Sequence, residues 1–129
     1  MSKGKILVID DEDIVLISCQ RILTPKGYDV EISKSGVEGL KLLKDKAFDL
    51  ALVDIKMPDM DGMEVLVQIK RKWPDTQVII ITGYSTLAAA ISAIKLGAYD
   101  YIEKPFTPDG LISAVKKAID QEMGEQKEK

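Results

Sequence analysis

The stretch ILVIDDEDIV, residues 6–15, leads from four apolar residues into four consecutive acids, after which apolar residues return. The acids are Asp10, Asp11, Glu12 and Asp13. Like charges placed side by side repel, and a carboxylate beside a buried strand is costly unless another group compensates it. The acidic end of this apolar run therefore predicts one half of a site for a cation.

Five short apolar runs are typical of buried strands. They are Lys5–Ile9, Tyr28–Ile32, Leu50–Val53, Val78–Ile81 and Tyr99–Ile102. Longer amphipathic stretches follow each of them, and strands that alternate with helices indicate a parallel sheet with helices on both faces. The sequence thus predicts an α/β fold, a doubly wound five-stranded (βα)5 sheet for which the common strand order is 2-1-3-4-5.

The spacing of apolar residues also predicts which helix faces are buried. Ile14 and Ile17 are expected on the core side of the first helix. Leu87, Ile91 and Ile94 are expected on the core side of the fourth helix.

The length of 129 residues suits one domain, expected to cover residues 1–122 and to be followed by a polar, frayed tail at 123–129. No apolar run approaches the ~20 residues that a membrane span needs, and we find no secretory signal. Cys19 is the only cysteine, which excludes an intramolecular disulfide. These features favour a cytoplasmic protein that does not interact with membranes.

Composition excludes several kinds of chemistry. The 18 basic and 21 acidic residues give a net charge of −3 without an obvious basic stripe, so direct binding of nucleic acid is not expected. The chain contains no histidine, which excludes Ser-His and Cys-His nucleophile pairs, histidine-ligated zinc and a histidine general base. The remaining chemistry must use carboxylates, Lys, Thr, Tyr or an added ion.

Polar residues end four of the predicted strands. Strand 1 ends in Asp10-Asp11, strand 3 in Asp54, strand 4 in Thr82 and strand 5 in Lys104. Function in open parallel sheets gathers beyond the carboxyl ends of the strands, where strand order reverses between strands 1 and 3. We therefore expect these side chains to meet at one mouth.

Each of these residues also has a simpler interpretation. An Asp after a strand is commonly a helix N-cap, and Glu12 or Asp13 is expected to cap the first helix. Thr82 alone would be a turn hydroxyl, and Lys104 alone a solvated surface charge. These separate interpretations are less convincing together, because all four strand ends carry polar residues and are expected to meet at the same mouth.

Oxygen ligands favour a hard cation, and Mg²⁺ prefers few carboxylates, several waters and a phosphate oxygen. Lys104 would add a second positive charge, and Thr82 could hydrogen-bond a phosphoryl oxygen. The pattern predicts a cradle for a small phosphoryl group. No Walker-type glycine loop is present, which argues against nucleotide binding.

Four motifs at matching spacing resemble those of the bacterial two-component response-regulator receiver domain. They are VIDDED, LVDIKMPDMDG, IIITGYS and AYDYIEKPF, within a match that covers residues 4–122. The stretch that begins at Thr82 looks most like receivers attached to transcription activators of the nitrogen-regulation type. The resemblance implies a flavodoxin-like receiver fold and a signalling protein that catalyses only its own phosphorylation and dephosphorylation.

The resemblance also implies a role for each matching residue. Asp54 is the expected phosphoacceptor, Thr82 and Lys104 sense the phosphoryl group, and Tyr101 is the aromatic switch. Mg²⁺ is the expected cofactor, and the peptide bond between Lys104 and Pro105 is expected to be cis. The expected metal ligands are Asp11 directly, Asp10 through water, Asp54 and the backbone carbonyl of Lys56.

The implied partners are a sensor histidine kinase, whose phosphohistidine is the donor, and a downstream effector or output domain. Phosphorylation is expected to change the surface of helix 4, strand 5 and helix 5, and to strengthen a homodimer or partner contact there. Candidate residues on that surface are Lys95, Asp100, Glu103, Lys116 and Lys117. Lys56 and Tyr84 are large side chains expected to shield the phosphoryl group from water, which predicts a long-lived phosphoryl group.

Three alternatives stay open from the sequence. Asp11, Asp13 and Val15 fit the D-x-D-x-[TV] pattern of haloacid-dehalogenase-type phosphatases, although those enzymes are usually longer and the pattern leaves VDIKMPDMDG unexplained. A phosphate-free interaction module on the same fold would not need the full set of acids. A flavin-binding flavodoxin would need a Ser/Thr/Gly-rich phosphate loop after strand 1, which is absent.

Overall fold

The computed structural model describes residues 2–83 and 85–128, and the side chains of residues 122–128 lie outside this description. Within these residues a parallel five-stranded sheet has the order β2-β1-β3-β4-β5, as predicted. The strands are β1 Lys5–Ile9, β2 Asp29–Ser33, β3 Leu50–Val53, β4 Gln77–Thr82 and β5 Asp100–Glu103. The helices are α1 Asp13–Leu23, α2 Gly36–Asp45, α3 Gly62–Lys72, α4 Leu87–Lys95 and α5 Pro108–Glu128, and a 3-10 turn spans Thr24–Lys26.

Alternate residues of the central strands pack against opposite layers of helices. Ile6 and Val8 of β1 face the layer formed by α1 and α5, together with Leu111 and Val115. The other face of the sheet packs against α2, α3 and α4 through a second set of buried side chains. Both faces of β1, β3 and β4 are thus covered, which explains why their sequences are nearly continuous apolar runs.

The burial predicted for α1 is wrong at two positions. Ile14 is 72% exposed and Ile17 is 44% exposed, whereas Val15, Leu16 and Cys19 are buried. The segment Ile14–Ile17 is apolar at every position, so periodicity could not decide which side faces the sheet. Packing of α1 against β1 and α5 makes that choice and leaves two isoleucines on the surface.

The burial predicted for α4 is also wrong. Leu87 is 79% exposed, and Ile91 and Ile94 are also exposed, whereas Ala93 is fully buried. The small side chains of Ala89 and Ala93 face the core on this side of the sheet, and the larger residues of α4 point outwards. The consequence is an exposed apolar stripe along α4.

The backbone of α5 stays helical to Glu128, through most of the segment that the sequence assigns to a tail. The domain boundary at residue 122 stays a prediction. In the described part of the chain, no helix combines the length and the apolar character needed to cross a membrane.

The loop after β3 is held by the motif PDMDG. The carboxylate of Asp59 accepts hydrogen bonds from the backbone N–H groups of Gly36 and Val37 at the start of α2, at 3.2 and 3.0 Å. The carboxylate of Asp61 caps α3 by accepting from the N–H of Met63 at 2.8 Å. Both aspartates satisfy N–H groups that a helix start leaves unpaired. The loop that follows Asp54 is thereby tied to two helices.

Gly62 lets α3 begin directly against the end of β3. Its N–H donates to the carbonyl of Ile55 at 2.7 Å. A Cβ atom at this position would overlap with the carbonyl oxygen of Asp54 and lie 2.7 Å from the carbon of that carbonyl. The neighbouring atoms belong to the backbone, so they cannot move away by a change of rotamer.

We predict that Gly62→Ala lowers the free energy of unfolding by about 1–3 kcal/mol because the added methyl group forces backbone atoms apart. Urea unfolding of the variant measures this loss. Gly83→Ala is the matched control, since a Cβ atom there meets no atom within 4 Å. Equal stability of the two variants would contradict the close approach at Gly62.

Candidate functional site

Backbone hydrogen bonds fix the polar strand ends at the carboxyl edge of the sheet. The N–H of Asp10 donates to the carbonyl of Ser33 at 3.0 Å, and the N–H of Asp54 donates to that of Ile9 at 3.0 Å. The N–H of Lys104 donates to the carbonyl of Thr82 at 2.9 Å. Strand pairing thus continues one step past the regular strands and brings the predicted side chains to one mouth.

The ammonium group of Lys104 connects the acids at this mouth. Its Nζ atom lies 2.8 Å from Oδ2 of Asp10, 2.8 Å from Oε1 of Glu12 and 3.6 Å from Oδ2 of Asp54. The side chain of Lys104 is 13% exposed, so it is not the solvated surface charge of the simpler interpretation. The peptide bond between Lys104 and Pro105 is cis, as the resemblance implied.

Burial shifts the protonation of the two buried acids. Desolvation raises the pKa of Asp10, and the hydrogen bond with Lys104 opposes that shift. Desolvation also raises the pKa of Asp54, opposed by the charge of Lys104 and by a hydrogen bond with the hydroxyl of Thr82. Burial lowers the pKa of Lys104, but the hydrogen bonds with Asp10 and Glu12 and the negative charges of Asp10 and Asp54 together raise it above its ordinary value.

The acids that come closest together differ from the predicted set. Carboxylate oxygens of Asp10, Glu12 and Asp54 lie within 4.8 Å of one another. Asp11 lines the same mouth, and its charge raises the pKa of Asp54. Sequence reasoning treated Glu12 as a helix cap, and Glu12 does occupy the N-cap position of α1, but its side chain makes no capping hydrogen bond.

A cavity of about 260 Å³ opens above Asp54. Asp11, Glu12, Lys56, Thr82, Gly83 and Lys104 complete its lining. Its carboxylate and hydroxyl oxygens are the hard donors that Mg²⁺ prefers, and the buried acids of the mouth, Asp10 and Asp54, carry more negative charge than Lys104 can balance. The residues at this mouth therefore fit a divalent cation. Direct ligation by Asp11 and by the carbonyl of Lys56 stays a prediction.

Two other predictions concern residues beside this mouth. Asp13, which the phosphatase alternative would use as its second acid, is exposed and pairs with Lys34 at 3.0 Å instead. That alternative loses its acid pair. Tyr84, expected to shield the phosphoryl group, lies outside the described residues.

Fold and mouth together define a doubly wound α/β domain with a polar cavity beyond the carboxyl ends of the strands, at the topological switch point. The family described as the response regulator receiver domain matches residues 6–116 of the chain. The DNA-binding transcriptional regulator NtrC of Escherichia coli K12 is 40% identical over 119 residues, which cover 92% of this chain and 25% of NtrC.

Solved structures agree with this match. The CheY-like receiver domain protein of Methanospirillum hungatei JF-1 has a TM-score of 0.90 and 38% identity, covering 94% of this chain and 97% of that one. NtrX of Brucella abortus has a TM-score of 0.92 and 32% identity, covering 98% of this chain and 29% of NtrX.

This chain belongs to the response regulator receiver domain family. It acts as a receiver of two-component signal transduction, a signalling domain whose general role is to accept a phosphoryl group. It spans about a quarter of the length of the curated relatives that it matches.

We predict that Asp54→Asn makes the metal-free protein more stable near neutral pH. Burial raises the pKa of Asp54, so its ionised form destabilises the folded state. The advantage should shrink as the pH falls through the raised pKa towards the ordinary value of an Asp carboxyl, because the wild-type group is then neutral in both states. Thermal unfolding in the presence of a chelator, over a range of pH, measures this difference.

Asp75→Asn is the control for this experiment, since Asp75 is exposed in the turn before β4, at the opposite end of the sheet. We expect no comparable gain from it. A loss of stability in Asp54→Asn near neutral pH would show that the Asp54 carboxylate stabilises the fold instead.

Proposed function

We propose that Asp54 accepts a phosphoryl group from a phosphohistidine of a sensor histidine kinase. The observation that carries the proposal is the position of its buried carboxylate, at the end of the central strand β3 and at the base of the cavity, beside Thr82 and Lys104. A carboxylate can act as a covalent nucleophile, and phosphoryl transfer depends mainly on positioning and on charge stabilisation.

In this step an oxygen of the Asp54 carboxylate attacks phosphorus and forms a P–O bond. The P–N bond to the donor imidazole breaks, and its electron pair returns to the imidazole nitrogen. The Lys104 ammonium and the Thr82 hydroxyl hold phosphoryl oxygens. Mg²⁺ would be held by Asp10, Asp11, Asp54 and the carbonyl of Lys56, and it would neutralise part of the phosphoryl charge. The protein acts on itself in this proposal and turns over no separate substrate.

The donor must come from another protein because the chain contains no histidine. A groove of about 570 Å³ between α1 and the start of α5 is continuous with the mouth, sharing Glu12, Gly83 and Lys104 with it. Ile14, which is exposed on α1, and Phe106 line the groove. We propose that the kinase docks on this apolar wall, next to Asp54. We also propose that the kinase and this receiver meet in the cytoplasm.

We propose that Thr82 and Tyr101 transmit the effect of phosphorylation to the surface that binds the output partner. Thr82 is buried, and Tyr101 is half buried and packs against the core layer under α4. Movement of Thr82 towards a phosphoryl oxygen would leave space into which the Tyr101 ring can turn. The surface next to it carries the apolar stripe of α4, defined by Leu87, Ile91 and Ile94, in addition to the predicted charged residues. We propose that an output domain, an effector or a second copy of the chain binds there after phosphorylation.

We predict that acetyl phosphate with Mg²⁺ adds one phosphoryl group to the protein. Intact mass spectrometry should show the added mass in wild type and not in Asp54→Asn, nor in wild type treated with excess chelator. Asp49→Asn is the matched control, since Asp49 precedes β3 at the opposite end of that strand, and it should be labelled like wild type. Undiminished labelling of Asp54→Asn would refute the assignment.

A further inference from the structure

Glu12 occupies the N-cap position of α1 but does not cap it. Its backbone carbonyl accepts from the N–H groups of Val15 and Leu16, at 3.1 and 3.3 Å, while its side chain makes no capping bond. The carboxylate reaches across the mouth to Lys104, 92 residues further along the chain, at 2.8 Å. This use of the side chain ties the start of α1 to the end of β5.

Lys104 is shared unequally among the acids of the mouth. Its Nζ atom is in hydrogen-bonding contact with Asp10 and Glu12, both at 2.8 Å, but is 3.6 Å from Asp54. A phosphoryl group on Asp54 brings up to two further negative charges and three acceptor oxygens. It must therefore draw Lys104 towards itself and away from one of its two close partners.

The two close partners differ in how easily they release Lys104. The side chain of Asp10 is 2% exposed, so loss of its cation would leave a buried charge without compensation. The side chain of Glu12 is 55% exposed, so water can replace the ammonium there. Glu12 is consequently the partner that Lys104 leaves more readily.

We propose that Glu12 is a positioning residue that holds Lys104 on the α1 side of the mouth and so lowers the affinity of the mouth for a phosphoryl group. The inference rests on the proposed function of Asp54 and adds a regulatory contact to that site. In this proposal Glu12 contacts the ammonium group of Lys104 and is not a ligand of the metal. Because the Glu12 carboxylate is 55% exposed, water screens the pair, and its contribution is taken as that of a surface pair, about 0.2–1 kcal/mol. Its loss should tighten phosphoryl binding by a factor of about 1.4–5.

The test measures the affinity for beryllofluoride, a phosphoryl mimic, at saturating Mg²⁺. Glu12→Gln should bind the mimic more tightly by that factor. Asp13→Asn is the matched control: it removes the same charge from the next residue, but Asp13 pairs with Lys34 and not with Lys104. We expect wild-type affinity from this control. Equal effects of the two variants would show a general charge effect and overturn the proposal.

The variant Glu12→Asp distinguishes the effect of the contact with Lys104 from the effect of the negative charge at residue 12. It keeps the carboxylate but shortens the side chain by one methylene, and Asp is a good helix cap, which draws it towards the backbone of α1. The proposal expects Glu12→Asp to behave like Glu12→Gln. Wild-type affinity in Glu12→Asp would mean that the charge acts without the contact and would contradict the proposal.

Two further readouts do not depend on the phosphoryl group. The side-chain ammonium resonance of Lys104 should shift in metal-free Glu12→Gln and stay in place in Asp13→Asn. Weaker Mg²⁺ binding in Glu12→Gln, together with a Lys104 resonance that does not shift, would make Glu12 a metal ligand and refute the assignment to Lys104. Wild-type protein that is not labelled at Asp54 would refute the proposed function itself, while an unchanged Lys104 resonance would refute only the role of Glu12.

Discussion

The ammonium group of Lys104 lies 2.8 Å from the carboxylates of Asp10 and Glu12 and 3.6 Å from that of Asp54. Two of these acids are buried, and burial raises the pKa of both. One ammonium cannot neutralise this group of acids, so the mouth keeps an excess of negative charge next to a hydroxyl and a cation. A divalent cation would reduce this repulsion, and in the proposed function Lys104 and Thr82 would donate to the phosphoryl group.

The sheet is what makes this costly arrangement possible. Parallel strands present their carboxyl ends at one edge, and backbone hydrogen bonds extend the pairing to Asp10, Asp54 and Lys104 themselves. The loop after Asp54 is fixed in turn by Asp59 at the start of α2 and by the close approach of Gly62. The cost of the buried acids is offset by two apolar layers that cover both faces of the sheet. In the proposed function, this fixed backbone would leave most of the response to phosphorylation to side chains such as Lys104 and Tyr101.

Sequence reasoning found the residues whose position follows from strand order. Asp10, Asp54, Thr82 and Lys104 each end a strand of a parallel sheet, so their meeting at one mouth could be predicted. Glu12 was missed as a partner of Lys104 because that contact depends on the placement of a residue 92 positions away. One signal was available: Glu12 is a weaker N-cap residue than Asp, Asn, Ser or Thr, which leaves its side chain free for another contact.

The helix faces show where periodicity fails. In α1 the four apolar residues from Ile14 to Ile17 leave the buried side undetermined, and in α4 the small side chain of Ala93 is buried while Leu87 is exposed. Both exposed surfaces lie on helices next to the mouth, one beside the groove proposed for the kinase and one beside Tyr101. The rule that apolar residues are buried does not hold for such exposed apolar surfaces, so a prediction based on that rule misplaces them.

The most direct test of the central electrostatic claim is the stability of Lys104→Met with and without Mg²⁺. Removal of the ammonium leaves Asp10 and Asp54 without their cation, while the methionine preserves much of the side-chain volume. We predict that the metal-free variant unfolds at a lower temperature than wild type. We also predict that Mg²⁺ raises its unfolding temperature by more than it raises that of wild type, because the ion then meets less positive charge. A metal-free variant as stable as wild type, with an equal response to Mg²⁺, would contradict the claim that Lys104 balances the acids of this mouth.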